Sequence, residues 1–253
     1  MRLKGQRIFI SGAADGLGLE MAQAFAREGA RLLLMDIDGD KAHAEAQRLA
    51  EAGHDVRVFV GSVADAASVT AAFKHMDETL GGIDALINNA GIAAHMPTVD
   101  LALADWNRVM DVGVNGSFLC AQEAGRRMLP QRSGSIVNIS SIYGIVAAPN
   151  RLAYCVSKSA VAMMARSLAV EWAEMGVRVN AIAPGYVHTR LVEGLIQHKT
   201  IDIDAVQGRV PMKRLGTPAE IAEMAVYLCS PAASYVTGQV IAVDGGWTAY
   251  GYI

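Results

Sequence analysis

The stretch RIFISGAADGLGLEMAQAFAREGARLLLMD, residues 7–36, decides the architecture. It opens on a short apolar run, crosses a turn holding Gly12, Gly16 and Gly18, carries apolar residues at helical spacing from Gly16 to Glu28, and closes on a second apolar run. Run, turn, amphipathic helix and run make one β-α-β unit, with its two strands parallel because the helix has brought the chain back. The pattern repeats outward from there. Helical patterns over Lys41 to Ala52, Ala67 to Leu80 and past Asp105 alternate with VRVFV and ALINNAG. SIVNIS, a helix through Tyr154 to Met175, VRVNAIAP, a helix from Pro218 to Cys229 and QVIAVDGG complete the series. These runs are continuously apolar, which implies strands buried on both faces. The expected fold is α/β: a single doubly wound Rossmann-type domain over 1–253, with about seven parallel strands and helices on both faces. Right-handed crossovers place every strand's carboxyl end on one edge of such a sheet, so the chemistry is expected there.

Apolar residues make up 52% of the 253, enough for one large core, and no linker, repeat or low-complexity tract divides the chain. A formal net charge of -3 lacks the basic footprint of a nucleic-acid or membrane-surface binder. Cys120, Cys155 and Cys229 are odd in number and free of C-x-x-C spacing, which reads as reduced core thiols. The histidines show no H-x-x-x-H or carboxylate clustering, so no metal is expected; His95 and His188 stay candidates for lining a pocket. MRLKGQRIFISG begins with a basic turn and a strand, without an apolar stretch long enough for a signal peptide or span, and a cytoplasmic location is the expectation.

The turn Ser11-Gly12-Ala13-Ala14-Asp15-Gly16-Leu17-Gly18 follows a strand and opens a helix. Backbone N–H groups and the helix dipole can face a pyrophosphate there, where side chains would block the approach. Gly12, Asp15, Gly16, Leu17 and Gly18 are therefore nucleotide-binding candidates, although the spacing is not G-x-G-x-x-G and a glycine turn can be purely structural. Asp36 ends the second run, where a carboxylate can accept hydrogen bonds from an adenosine ribose and would repel a 2′-phosphate. With Ile37 after it and Asp15 before Gly16, neither position supplies the cation such a phosphate needs, so NAD is favoured over NADP. A turn or capping aspartate is the plainer reading of Asp36.

Tyr154 and Lys158, in YCVSK, stand four apart on a predicted helix and so share a face, the ammonium beneath the phenol. A phenol with an ordinary pKa of about 10 must fall by about three units to act as a base near neutrality, which asks for about 4 kcal/mol of preferential stabilisation of the phenolate. Burial opposes that shift; the lysine and a positively charged nicotinamide would favour it. A chance pair facing solvent is the alternative. Ser141, at the end of SIVNIS, can donate a hydrogen bond to a substrate oxygen, and by itself it is also an ordinary serine at a strand end.

Taken together, S-G-x-x-x-G-x-G, Asn88-Asn89-Ala90-Gly91, Ser141 thirteen residues before Y-x-x-x-K, and Pro184-Gly185-x-x-x-Thr189 resemble a classical short-chain dehydrogenase/reductase across essentially the whole chain. The resemblance implies that Ser141, Tyr154 and Lys158 are catalytic, that Tyr154 exchanges a proton while the cofactor exchanges hydride, and that Lys158 also binds the nicotinamide ribose. It further implies an adenine pocket at Ser62 and Val63, a supporting turn at Asn89, Ala90 and Gly91, and Pro184, Gly185, Val187 and Thr189 at the nicotinamide. Relatives are commonly tetramers, so a homotetramer is expected, built on outward apolar residues such as Phe118, Met163, Met164 and Leu168 and on the tail GGWTAYGYI.

Two positions depart from the family pattern. In the segment resembling W-x-x-x-x-D-V-N-x-x-G, Trp106 to Gly116, the slot of the usual catalytic asparagine holds Gly113. Asn115 is about 200° further round a helix and does not replace it, so water in the space left by Gly113 is expected to relay the proton from Lys158. Ser62 stands where many relatives carry aspartate. A lid is expected around 186–214, carrying Gly194, Gly208 and Pro211, with Leu191, Leu195 and Ile196 as apolar cover. His95, Tyr143, Asn150 and Tyr186 are substrate-pocket candidates, with Gln197 a further polar contact, and the lean is to a sugar, polyol or small hydroxy compound. Arg151, Arg190, Lys213 and Arg214 keep a 3-oxoacyl-acyl-carrier-protein reductase in play as a rival. A catalytically weak nicotinamide-binding sensor or scaffold, licensed by Gly113, is the other.

Overall fold

A computed structural model describes residues 1–189, 192–193 and 202–251. Seven strands form one sheet: β1 (Arg7–Ser11), β2 (Arg31–Asp36), β3 (Val56–Val60), β4 (Ala85–Asn88), β5 (Gly134–Ile139), β6 (Val177–Pro184) and β7 (Val240–Val243). Every pairing is parallel and the order is β3-β2-β1-β4-β5-β6-β7. The order reverses between β1 and β4, the switch point where an open α/β sheet leaves a crevice at its carboxyl edge.

Among the described residues the helices are α1 (Gly16–Arg27), α2 (Gly39–Glu51), α3 (Ala66–Leu80), α4 (Leu103–Met110), α5 (Gly116–Gln131), α6 (Leu152–Trp172), α7 (Ile203–Arg209) and α8 (Pro218–Cys229). Each half of the core follows from strand alternation. Ile8 and Ile10 face one side of the sheet with Met21, Phe25, Ile221 and Leu228 from α1 and α8. Phe9 points to the other side and joins Phe73, Cys120, Met128 and Trp172 from α3, α5 and α6. There its ring stacks on Phe73, centroids 4.5 Å apart. Burial on both faces holds for the interior strands; β3 and β7, at the two edges, are only partly covered. The long helix expected past Asp105 is two helices, α4 and α5, joined by a π-helical segment at Asp111–Asn115.

All three cysteines are free. Among the described residues no helix is long and apolar enough to cross a membrane, and no group of three or more His, Cys, Asp or Glu could hold a metal. The expected lid lies partly outside the described residues, Arg190, Leu191, Gly194, Leu195, Ile196 and Gln197 with it.

Candidate active site

The carboxyl ends of β1 and β4 are knitted together by bonds between side chain and backbone. Asn89 Nδ2 donates to the carbonyls of Ser11 (3.1 Å) and Gly12 (2.7 Å), and the Ser11 hydroxyl accepts from the N–H groups of Asn89 (3.1 Å) and Ala90 (3.2 Å). The glycine turn is tight inside and open outside. A Cβ on Gly18 would stand 2.0 Å from the Gly12 carbonyl oxygen, whereas one on Gly16, at φ +56, would meet nothing within 4 Å. Asp15 caps α1 by accepting from Gly16 N at 2.7 Å, and Leu17 packs partly buried against the core behind it. Asp36 accepts from Ala14 N (2.9 Å) with one carboxylate oxygen and from Asp38 N (3.0 Å) with the other. It therefore is a turn aspartate, and a carboxylate's four lone-pair sites still leave room for ribose hydroxyls.

Further along the edge, Ser62 Oγ accepts from Ala64 N at 3.2 Å and Val63 is buried beneath. Gly185 follows Pro184 against β7, where a Cβ would press on Asp244 Cα at 2.7 Å. Val187 bridges to Gly216, and Thr189 Oγ1 accepts from Val192 N at 3.4 Å. An open turn at a helix N-terminus, a carboxylate at the end of β2 and a crevice at the switch point fit a nicotinamide dinucleotide.

Ser141, Tyr154 and Lys158 converge beside this edge. Lys158 is buried; its Nζ donates to the Ile139 carbonyl at 2.8 Å and lies 5.7 Å from the centroid of the Tyr154 ring. Gly91 makes room for it, since a Cβ there would sit 3.1 Å from the ammonium. Burial pulls the Lys158 pKa down to about 8. For Tyr154, burial raises the phenol above its ordinary value, while the nearby Ser141 hydroxyl and the charge of Arg151 act to lower it. Arg151, among the basic residues expected on the rim of the cleft, contributes here as well. Its signal was its place one helical turn ahead of Tyr154.

The π-helical segment turns the side chain of Asn115 to Asp111, to which it donates at 2.8 Å. The space beside Gly113, expected to hold relay water, is filled otherwise. Ser157 Oγ stands 2.2 Å from where a Cβ on Gly113 would be, so α6 lies too close for a side chain. Ser157 is buried, and its place next to Lys158 was the only hint of this contact.

On the substrate side the structure brings together His95, Tyr143, Asn150 and Tyr186. The Tyr143 and Tyr186 hydroxyls are 2.7 Å apart, and Tyr143 N donates to Ser141 Oγ at 3.1 Å. Burial, then the Tyr186 bond, pushes the Tyr143 phenol up, so it stays protonated. Asn150, at φ 59, accepts from Met96 N at 3.0 Å, tying the His95 loop to the start of α6. Trp247 extends the aromatic wall, 5.1 Å from Tyr186, with Arg209 over its far face at 4.1 Å. His188 instead turns to Glu193, at 3.4 Å.

A family profile described as enoyl-(acyl carrier protein) reductase matches residues 12–248. Galactitol 2-dehydrogenase (L-tagatose-forming) from Cereibacter sphaeroides is 41% identical over 251 residues, covering 98% of this chain and 97% of the relative. Among solved structures, a short-chain type dehydrogenase/reductase from Mycobacterium marinum has a TM-score of 0.92 at 34% identity, covering 98% of this chain and 97% of that one. A gluconate 5-dehydrogenase from Burkholderia cenocepacia J2315 in complex with NADP and tartrate has a TM-score of 0.94 at 35% identity, with 98% and 97% covered. Likeness at this level over nearly the whole of both chains reaches past fold to family.

Proposed function

The chain belongs to the short-chain dehydrogenase/reductase family, and on that premise we propose that it interconverts a secondary alcohol and a ketone in a sugar, polyol or other small hydroxy compound, with NAD as its cofactor. It is an oxidoreductase acting on CH–OH groups with a nicotinamide cofactor. The observation that carries the reading is the convergence of Ser141, Tyr154 and Lys158 at the carboxyl edge of β5. When bound, the nicotinamide supplies the two-electron exchange at the carbinol carbon. Tyr154 takes the hydroxyl proton as the alcohol is oxidised and returns it in the reverse direction. Ser141 donates to the same oxygen as its charge changes. Lys158, fixed by the Ile139 carbonyl, holds positive charge beneath the phenol and, with Ser141 and Arg151, offsets the burial that opposes phenolate. Asp15, Gly16 and the start of α1 receive the pyrophosphate, Asp36 the adenosine ribose, Ser62 and Val63 the adenine, and Val187 and Thr189 the carboxamide.

NAD is favoured because Asp36 would repel a 2′-phosphate and the nearby Lys41 is engaged with Asp38 at 3.2 Å and Asp15 at 3.9 Å. An acyl-carrier-protein substrate is disfavoured because part of its basic rim is already engaged: Arg214 pairs with Glu220 at 2.6 Å, and Lys213 donates to the Gly208 carbonyl. Exposed Phe118 (49%) and Met163 (54%) support the homotetramer, whereas Leu168 is partly buried against the core. A substrate lid around 186–214 belongs to the same proposal, supported by Tyr186 within that range reaching Tyr143, and the cytoplasm is the proposed location.

Reduction of NAD⁺ and NADP⁺ by the purified protein over sugars, polyols, hydroxy acids and simple secondary alcohols tests this, with Tyr154→Phe alongside. The expected result is NADH formation exceeding NADPH formation, lowered about 10²- to 10⁴-fold in the variant. Turnover that survives Tyr154→Phe would remove the proposed base; an NADP⁺ preference would remove the role given to Asp36.

A further inference from the structure

Beyond the catalytic residues, the substrate side carries a cation, Arg151, that has no carboxylate partner among the described residues. Arg151 directly precedes α6, three residues before Tyr154. Its guanidinium is 5.3 Å over the ring of Tyr143, and its Nη1 donates to His95 Nε2 at 2.8 Å. His95 is held neutral by burial and by Arg151 itself, so it orients the guanidinium without compensating it. Among the described residues no carboxylate comes within ion-pair distance of Arg151. Its neighbours along the edge are engaged differently: Arg214 with Glu220, and Arg209 with the face and carbonyl oxygen (3.3 Å) of Trp247.

A guanidinium has five N–H donors in a rigid fork, and one serves His95. The remainder, held by an aromatic face and a neutral imidazole, suit two parallel hydrogen bonds to an oxyanion. The support is built on both sides. Tyr143 is fastened to Ser141 by its own N–H, and the His95 loop to Asn150 through Met96 N. The fork is thus tied to the oxygen-binding end of the catalytic site by short, ordered links.

We propose that Arg151, on the platform of His95 and Tyr143, binds an anionic group of the substrate, so that the preferred secondary alcohol carries a carboxylate or sulfonate near its carbinol carbon. This rests on the dehydrogenase reading above and narrows it from hydroxy compounds at large to hydroxy acids.

The test uses matched pairs differing only in charge: gluconate with gluconamide, and 3-hydroxybutyrate with 3-hydroxybutyramide, beside 2-hydroxypropane-1-sulfonate. The wild-type protein is expected to favour the acid of a pair in kcat/KM, mainly through KM. In Arg151→Gln that ratio of acid to amide collapses by roughly 10- to 100-fold, and Arg151→Lys, which keeps the charge but not the fork, restores part of it. Because the charge of Arg151 also acts on Tyr154, both members of a pair slow together, and only their ratio reports anion binding. Should the variants fail to fold, competitive inhibition of wild-type turnover on a neutral alcohol by butyrate and by propanesulfonate, compared with butyramide, decides the matter and separates carboxylate from sulfonate. A wild-type ratio at or below one, or a ratio unmoved by Arg151→Gln, overturns the anion site while leaving the dehydrogenase intact. Turnover on no member of any pair or of the wider panel overturns both.

Discussion

Around β1, β2 and β4 the carboxyl edge of the sheet is made of backbone, whereas around β5, β6 and α6 it is made of side chains. In the first region Gly12 and Gly18 bring main chain against main chain, and Asn89 serves to bind carbonyls. In the second, Ser141, Tyr143, Tyr154, Arg151 and Tyr186 meet through hydroxyls, rings and charge. A dinucleotide's phosphates can be received by N–H groups, which any residue supplies provided no Cβ intrudes. Proton transfer and substrate choice need particular functional groups, and those can arrive from anywhere in the chain.

The sharpest way to break this contrast is Gly18→Ala. Its methyl would stand 2.0 Å from the Gly12 carbonyl oxygen and 2.6 Å from Asn89 Nδ2, so main chain must move. A cost of about 1–3 kcal/mol is expected, lowering Tm by about 2–4 °C per kcal/mol, together with more than about tenfold weaker NAD binding. Wild-type melting and affinity in calorimetry would show that this turn is not closed to side chains.

A smaller effect probes the contact between the π-helical segment and α6. Gly113→Ala alone should destabilise, because the new Cβ meets Ser157 Oγ; Ser157→Ala removes that oxygen and leaves only an ordinary 3.5 Å contact with its Cβ. The double variant should recover, with a coupling energy of about 0.5–3 kcal/mol in denaturant unfolding. Additive losses would mean that the two positions do not share one space. If turnover recovers along with stability, the contact positions the neighbouring Lys158; if stability alone recovers, it is packing only.

Lys158 sits where the two regions touch, between Gly91 and the Ile139 carbonyl, and its effect is the most graded. Its pKa is about 8 in the folded protein against an ordinary 10.5, so between those values the unfolded chain binds a proton that the folded chain lacks. Stability from this group therefore rises with pH across that window, by at most about 1.4 kcal/mol per pH unit, and its burdening charge is fully present below it. Subtracting the unfolding free energies of Lys158→Met from those of the wild type, from pH 7 to pH 10.5, should reveal that rise. A flat difference would place the ammonium in a better solvated site than its burial implies.

How much could be read in advance differs between the two regions for the same reason that their chemistry differs. The glycine turn and Asp36 lie in one β-α-β unit, and the positive φ of Gly12 and Gly16 is a local demand that sequence displays directly. Tyr154 and Lys158 were visible because a helix fixes their spacing, and Ser141 because it ends a strand. Gly113 was visible only as a departure; the reason for it, Ser157 on another helix, depends on how closely α6 approaches the kink. Arg151 read as one basic residue among four until the structure showed Arg214 paired with Glu220 and Arg151 without a carboxylate among the described residues.

Sequence by itself determined the order of strands and helices, the continuous apolar runs that demand a sheet covered on both faces, and the edge on which the motifs fall. Those follow from periodicity and backbone sterics, which act over a few residues. Tertiary structure alone decided that β1 and β4 flank the crevice, that Ser157 fills the place of a missing side chain, and that His95, Tyr143 and Arg151 form one platform. Contacts between residues tens of positions apart depend on how helices seat against the sheet, and packing geometry leaves no local trace in the chain.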